Sequence, residues 1–292
     1  MTLMLTRRAL ATIIAGLATG AGLAFAQTPT LYFSAIPDED ETKLNARFTK
    51  VAAYLSNELR IPVHYIPLKS YPASVTAFKN DQIQLAWFGG LTGVQAQRAV
   101  PGSQAIAQGE EDKNFVTYFI TNAATGIAPS ADLAKDIAGK TFTFGAKTST
   151  SGRLMPEFYL RKVFGKSPDE IFAKVGYSGD HTKTVELVQS GAFDVGAVNY
   201  SSFDDMVKNG KADPAKVKII WKTPPFPDYN WTIRGDVDTR FGAGTLEKVK
   251  AAILGMKDPA LLDAFPRKGF IPARNSDYAP IEDTARQLGL LD

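Results

Sequence analysis

Thr141-Phe142-Thr143-Phe144-Gly145 leads into Ser149-Thr150-Ser151-Gly152 and then into an amphipathic segment, residues 153–164. The first piece alternates with period two and is rich in β-formers, so it reads as a short strand. The last piece reads as a helix with Leu154, Phe158 and Arg161 on one face. Between them, three consecutive hydroxyls and a glycine stand at a helix start. Unpaired backbone N–H groups and the positive end of the helix dipole favour an anion there. Hydroxyls add donors without adding charge. The combination suits a small oxyanion such as phosphonate, phosphite, phosphate or sulfate. The same residue types also make an ordinary Ser/Thr N-cap, so the stretch alone leaves both uses open.

The rest of the chain repeats the strand-then-helix scheme. Residues 31–36 read as a first strand, and 42–59 as a helix with Leu44, Phe48, Val51, Ala52, Leu55 and Leu59 on one face. Residues 63–67 and 83–87 read as further strands, each followed by a helix. Later strands are expected at 115–121, 193–198 and 217–221. This order predicts an α/β fold of parallel-dominated sheets covered by helices. Two places read as crossings between lobes: Ile120-Thr121-Asn122, and the proline-rich Lys222-Thr223-Pro224-Pro225-Phe226-Pro227. With both as hinges, 27–121 plus 223–292 form one lobe and 122–222 the other. A cleft between such lobes holds small ligands at the carboxyl ends of strands.

Residues 1–26 read as an export signal: Arg7 and Arg8, an apolar run over 9–24, and Ala24-Phe25-Ala26 as the cleavage site. The paired arginines also fit a twin-arginine signal. The net charge of +3 falls to about +1 without the signal, and no basic run is interleaved with aromatics, which argues against nucleic acid. The chain has no cysteine, so it rests on its core without disulfides or a lipid-anchored cysteine. A periplasmic monomer is expected.

Several motifs are decoys. Gly139-Lys140-Thr141 lacks the earlier glycine of a nucleotide-binding P-loop, since Ala134 stands there, and its lysine precedes the strand. With two histidines, His64 and His181, and no H-E-x-x-H spacing, no metal site or cofactor is expected. Ser149 or Ser151 could pair with His181 as a hydrolase, but no G-x-S-x-G elbow or orienting acid is evident. The pairs Asp38-Glu39 and Asp204-Asp205 read as solvated charges. His181 begins a helix, a place that suits an anion, and a neighbouring anion would raise its pKa. Trp87-Phe88-Gly89-Gly90 closes the third strand. Phe88 reads as core, while Trp87, the two glycines and the helix start behind them offer a second oxyanion cradle that Tyr71 could also reach.

Four motifs in order resemble the phosphonate/phosphite-type substrate-binding proteins of ABC importers. Ser70-Tyr71-Pro72-Ala73-Ser74-Val75 is similar to their D-Y-x-x-x-V helix start, and residues 81–89 to their D-I-A-W-L/F-G-P segment. Ser149-Thr150-Ser151-Gly152 with Leu154 and Pro156 resembles S-T-S-G-x-L-x-P. Gly179-Asp180-His181 with Val188, Gly191 and the run from Asp194 to Ala197 resembles G-x-H…V…G…D-x-G-A. The resemblance spans about residues 31–235. It implies a two-lobe, type II-like periplasmic binding protein that closes over one small anion and delivers it to a membrane permease and its ATPase. It implies ligand contacts at Tyr71, Ser149, Thr150, Ser151 and His181, with Asn199 and Tyr200 as weaker candidates. Gly90 departs from the family's proline, and Asn199-Tyr200 replaces the acid that binders of amino-phosphonates use for the ammonium group. That favours a smaller anion such as phosphite or methylphosphonate. The residues 34–38 and 87–93 look most like a subgroup labelled selenate importers, so phosphorus, selenium and sulfur centres stay open, as does a sensory role in place of transport.

Overall fold

The computed structural model describes residues 29–291, so the expected signal over 1–26 lies outside the described residues. The first lobe opens with β1 (Leu31–Ala35), α1 (Glu41–Leu59), β2 (Val63–Tyr65), α2 (Tyr71–Lys79), β3 (Leu85–Phe88), α3 (Gly90–Ala99) and β4 (Gln104–Gly109). The chain then builds β5 (Thr117–Asn122), β6 (Thr141–Phe144), α4 (Met155–Phe164), α5 (Pro168–Ile171), β7 (Lys174–Tyr177), α6 (His181–Gln189), β8 (Val195–Asn199), α7 (Tyr200–Lys208) and β9 (Val217–Lys222). It returns through β10 (Asn230–Ile233), α8 (Val237–Phe241), α9 (Thr245–Gly255), α10 (Pro259–Leu262), β11 (Phe270–Pro272) and α11 (Ala279–Gln287).

The helices start where local chemistry caps them. Asp40 accepts from the Lys43 N–H ahead of α1, and Ser70 from the Ala73 N–H ahead of α2. Asp180 and Asn199 do the same for α6 and α7. The apolar face read for α1 is the buried one: Leu44, Phe48, Val51, Ala52 and Leu55 pack on the sheet.

Two mixed sheets result, one ordered β11-β4-β10-β3-β1-β2 and the other β7-β6-β8-β5-β9. In the first, β1 to β4 run one way and β10 and β11 the other; in the second only β5 is reversed. Apart from the edge strand β11, the two sheets share one plan. In each, the strand that arrives from the other lobe is the antiparallel one, β10 or β5.

That plan moves the expected first crossing. The reading at 120–122 falls at the end of β5, which already belongs to the second sheet and pairs Thr117 with Asn199 and Tyr118 with Lys222. The chain leaves the first sheet at Gly109 and enters the second at Thr117. Gly126 and Pro129 lie in the stretch after β5, within the second lobe. The proline-rich stretch does carry the chain back from β9 to β10. The two connections run antiparallel: Phe115 and Phe226 exchange backbone hydrogen bonds of 2.9 Å, and the Asp228 N–H donates to Asp112 O at 3.0 Å.

Among the described residues one large apolar core and a small cluster of Val94, Ala105, Ala273 and Tyr278 flank the six-stranded sheet, and two further cores cover the faces of the five-stranded sheet. Among the described residues no helix is long and apolar enough to cross a membrane. The carboxyl ends of β1, β3, β6 and β8 lead into Asp38, Gly89, Ser149 and Asn199, and these ends face one another across the seam between the lobes.

Candidate functional site

β6 does not pass straight into an α-helix. Thr150–Leu154 form one π-turn, in which the Leu154 N–H reaches back to Ser149 O at 2.9 Å. Single π-turns are rare and frequently mark functional sites. Ser149 Oγ accepts from the Gly152 N–H at 2.9 Å, so the N-cap reading holds for this residue. Thr150 Oγ1 accepts the Leu91 N–H from the other lobe at 2.9 Å, and Thr117 Oγ1 donates to Ser151 O at 2.8 Å. All three hydroxyl residues are buried. Gly152 is required for this closeness: a Cβ there would stand 2.9 Å from Ser149 Oγ and 3.0 Å from His181 Cε1.

Among the buried polar atoms without a hydrogen-bond partner are Tyr71 Oη, His181 Nε2 and Asp228 Oδ2 against this turn, and Thr148 Oγ1 just ahead of it. Tyr71, the first residue of α2, has the Ser149 hydroxyl beside it. Burial, reinforced by the charge of Asp38, pushes its phenol well above the usual range, so it stays a neutral donor. His181 opens α6 and meets the turn at Gly152. Its Nδ1 accepts the Asn199 N–H at 3.3 Å, which leaves the ring proton on Nε2. Burial lowers its pKa to about 4, so the ring is neutral at physiological pH. Burial outweighs the charge of Glu39, the one neighbouring charge that raises it.

Asp228 was not anticipated from sequence. Burial raises its carboxyl to about 7, against the opposing pull of the Gly90 N–H and of the Thr150 and Ser151 hydroxyls. Its Oδ1 accepts the Gly90 N–H at 2.9 Å. The start of α3, expected as a second oxyanion cradle, therefore gives its first two N–H groups to the protein itself: Gly90 to Asp228, and Leu91 to Thr150. This also explains the departure from proline at Gly90, since proline has no N–H to offer. Gly89 allows the approach, because a Cβ there would meet Asp228 Oδ1 at 3.3 Å and Thr150 Oγ1 at 3.4 Å.

Other expected residues serve the site from behind. The Trp87 ring stacks on Tyr229 at 5.5 Å and meets Phe265 and Phe270 edge-on, so it belongs to the core. Phe88 is core as read. Every polar group of the Asn199 side chain is engaged: Nδ2 donates to Tyr229 Oη at 3.0 Å, and Oδ1 accepts from the Ser202 N–H and Ser201 Oγ. Tyr200 packs on Phe115 in the connection between lobes, with ring centroids 4.8 Å apart. These two positions therefore say nothing about a ligand's tail. The hydrolase reading also lacks its geometry, since a backbone N–H and no carboxylate holds His181 Nδ1. Among the described residues no group of side chains could hold a metal ion.

The pattern is a set of neutral donors from both lobes with one carboxylate oxygen among them. The family model for periplasmic substrate-binding proteins of phosphonate ABC transporters matches residues 33–278. The chain is 37% identical over 271 residues to the probable ABC transporter phosphite binding protein PhnD1 of Prochlorococcus marinus, covering 90% of this chain and 91% of that one. The structure of PhnD1 in complex with methylphosphonate superposes with a TM-score of 0.84 at 38% identity, over 90% of this chain and 99% of the other. A binding protein component of an ABC phosphonate transporter from Pseudomonas aeruginosa shares the two-lobe fold, with a TM-score of 0.76 at 19% identity over 88% and 85% of the two chains. The chain belongs to the phosphonate-binding family of periplasmic ABC-transporter substrate-binding proteins, and is a binding protein, not an enzyme.

Proposed function

We propose that the cleft binds the singly protonated form of a small phosphorus oxyanion, phosphite or methylphosphonate. The observation that carries this reading is Asp228 Oδ2, a buried acceptor that forms no hydrogen bond, with the Thr150 and Ser151 hydroxyls near enough to favour its charge but not bonded to it. A buried carboxylate repels an anion unless a proton lies between the two. A P–OH group supplies that proton, and the remaining ligand oxygens accept from Tyr71 Oη, His181 Nε2, the Ser151 hydroxyl and the amides of the Ser149 turn. Sulfate and selenate carry no proton at neutral pH, so they would face the ionised form of Asp228 with a bare oxygen and bind only by drawing on the carboxyl's own proton, which is lost above about pH 7. The phosphite-binding name of the Prochlorococcus relative and the methylphosphonate in its structure support the same ligand class.

In this reading the exported chain is a periplasmic monomer. Its lobes, with β5 assigned to the second, close over the anion and present it to a permease and its ATPase. Isothermal titration of the mature protein tests it. Phosphite and methylphosphonate should bind at least about 100-fold more tightly than sulfate or selenate, the scale of one lost charged hydrogen bond plus an unrelieved repulsion. Sulfate binding as tightly as phosphite would overturn it.

A further inference from the structure

Of the acid pairs read as solvated charges, Asp204 is exposed as read, Asp38 and Asp205 are half-buried, and Glu39 is buried. Glu39 is buried on the first lobe, where its Oε2 takes Lys43 Nζ at 2.7 Å and Arg47 Nη1 at 3.1 Å. Lys43 and Arg47 lie one and two turns along the same face of α1, so this half is assembled within one lobe. The second lobe completes it. Ser202 Oγ donates to Glu39 Oε1 at 2.9 Å, and Lys43 Nζ reaches Asp205 Oδ2 at 2.5 Å. Both Ser202 and Asp205 lie on α7, whose N-terminal end faces Glu39. Beside them the His181 N–H donates to Asp38 O at 2.9 Å, and Tyr229 Oη links Asn199 Nδ2 to Asp38 Oδ2.

We propose that Glu39, Lys43, Ser202 and Asp205 form a latch that holds the lobes together and sets how long the closed form lasts. The physical reason lies in the asymmetry of the two halves. Glu39 is desolvated and already paired in its own lobe, so closing adds bonds to a pre-ordered carboxylate and needs little further ordering. Lys43 is about a quarter exposed, at 26%, and Asp205 similarly at 21%, so their pair is only partly screened by salt. The latch forms no hydrogen bond with Tyr71, His181, Ser151 or Asp228, and of these it is His181 that feels the charge of Glu39, which the variants leave in place. It acts on opening, whichever anion is bound.

The absence of cysteine allows a clean test. Spin labels on Asn57→Cys and Lys162→Cys, exposed positions in different lobes, report the interlobe distance with and without phosphite. Lys43→Met, Asp205→Asn, their double variant and Ser202→Ala are compared with the parent, and phosphite dissociation is followed by stopped flow. Each single variant should broaden the ligand-free distance distribution toward longer values and speed dissociation about fivefold or more. The association rate should stay within about twofold. Lys43→Met and Asp205→Asn should be strongly non-additive. Unchanged distances and dissociation rates, or additive effects of the pair, would overturn the latch. A parent that never closes with phosphite would count against the proposed ligand, while its ligand-free distances would still report the latch.

Discussion

Two helix starts face each other across the seam, and they end up with opposite chemistry. At the Ser149 turn the chain offers neutral donors. At the start of α3 the same kind of helix end is plugged by the protein's own carboxylate, since Gly90 donates to Asp228. A helix N-terminus is a donor site for whatever anion fits best, and a side chain of the same protein qualifies. Once plugged, the site presents the far oxygen of that carboxylate. In the proposed site the seam is a donor surface with one acceptor in it, and such an acceptor would read the ligand's protonation.

Removing the plug should give the largest effect. Asp228→Asn abolishes the repulsion and turns the acceptor into an amide. The ratio of phosphite to sulfate affinity should fall by about 100-fold or more, roughly 3 kcal/mol, measured by titration of both anions against parent and variant. An unchanged ratio would mean that Asp228 does not read the ligand proton. On the donor side, His181→Asn and Tyr71→Phe each remove one donor. Phosphite binding should weaken by about 1.5–3 kcal/mol in each, the range for a lost bond to a charged group.

The pH profile sharpens the same contrast. Burial pushes the Asp228 carboxyl up to about 7, and in the proposed complex the ligand and this carboxylate would share one proton. Phosphite binding should therefore weaken as pH rises above about 7, approaching tenfold per pH unit, and the slope should flatten in Asp228→Asn. His181 adds nothing across that range, because its pKa lies near 4. It does bear on stability. Its folded pKa lies below the unfolded value of 6.5, so its contribution is present above pH 6.5 and is lost as pH falls toward 4. Thermal melts of parent and His181→Asn should diverge least in that acid window.

The donor half was legible in the sequence because it is local. The hydroxyl triplet, Tyr71 and His181 each sit at a helix start that a strand-to-helix reading places directly. The acceptor half was not, because Asp228 reaches the site only through the antiparallel contact of two connections more than 100 residues apart, Phe115 with Phe226. The visible hint was an acid directly after Pro225-Phe226-Pro227 and before an apolar strand, in a stretch already read as a crossing. Trp87 and Tyr200 were misplaced for a related reason. Both stand at a strand end beside the cleft, but the core aromatics around Trp87 and Phe115 against Tyr200 fix where their rings go. The membership of β5 depended on its pairing with β8, nearly 80 residues away, which periodicity does not report.

The smallest effect separates the two uses of the Ser149 turn that the sequence left open. Ser149 Oγ already accepts the Gly152 N–H, so it acts as a cap whether or not an anion is present. Ser149→Ala should cost about 1 kcal/mol of stability, the usual cost of losing an N-cap. In a chain of this size that lowers the melting temperature by roughly 2–4 °C. If capping is its whole role, phosphite affinity should change little in the folded variant. If its hydroxyl also donates to the anion, affinity should fall by the same 1.5–3 kcal/mol as for Tyr71→Phe. The double variant Tyr71→Phe/Ser149→Ala decides between these, because two side chains that touch one ligand oxygen couple, while a distant cap and a donor add.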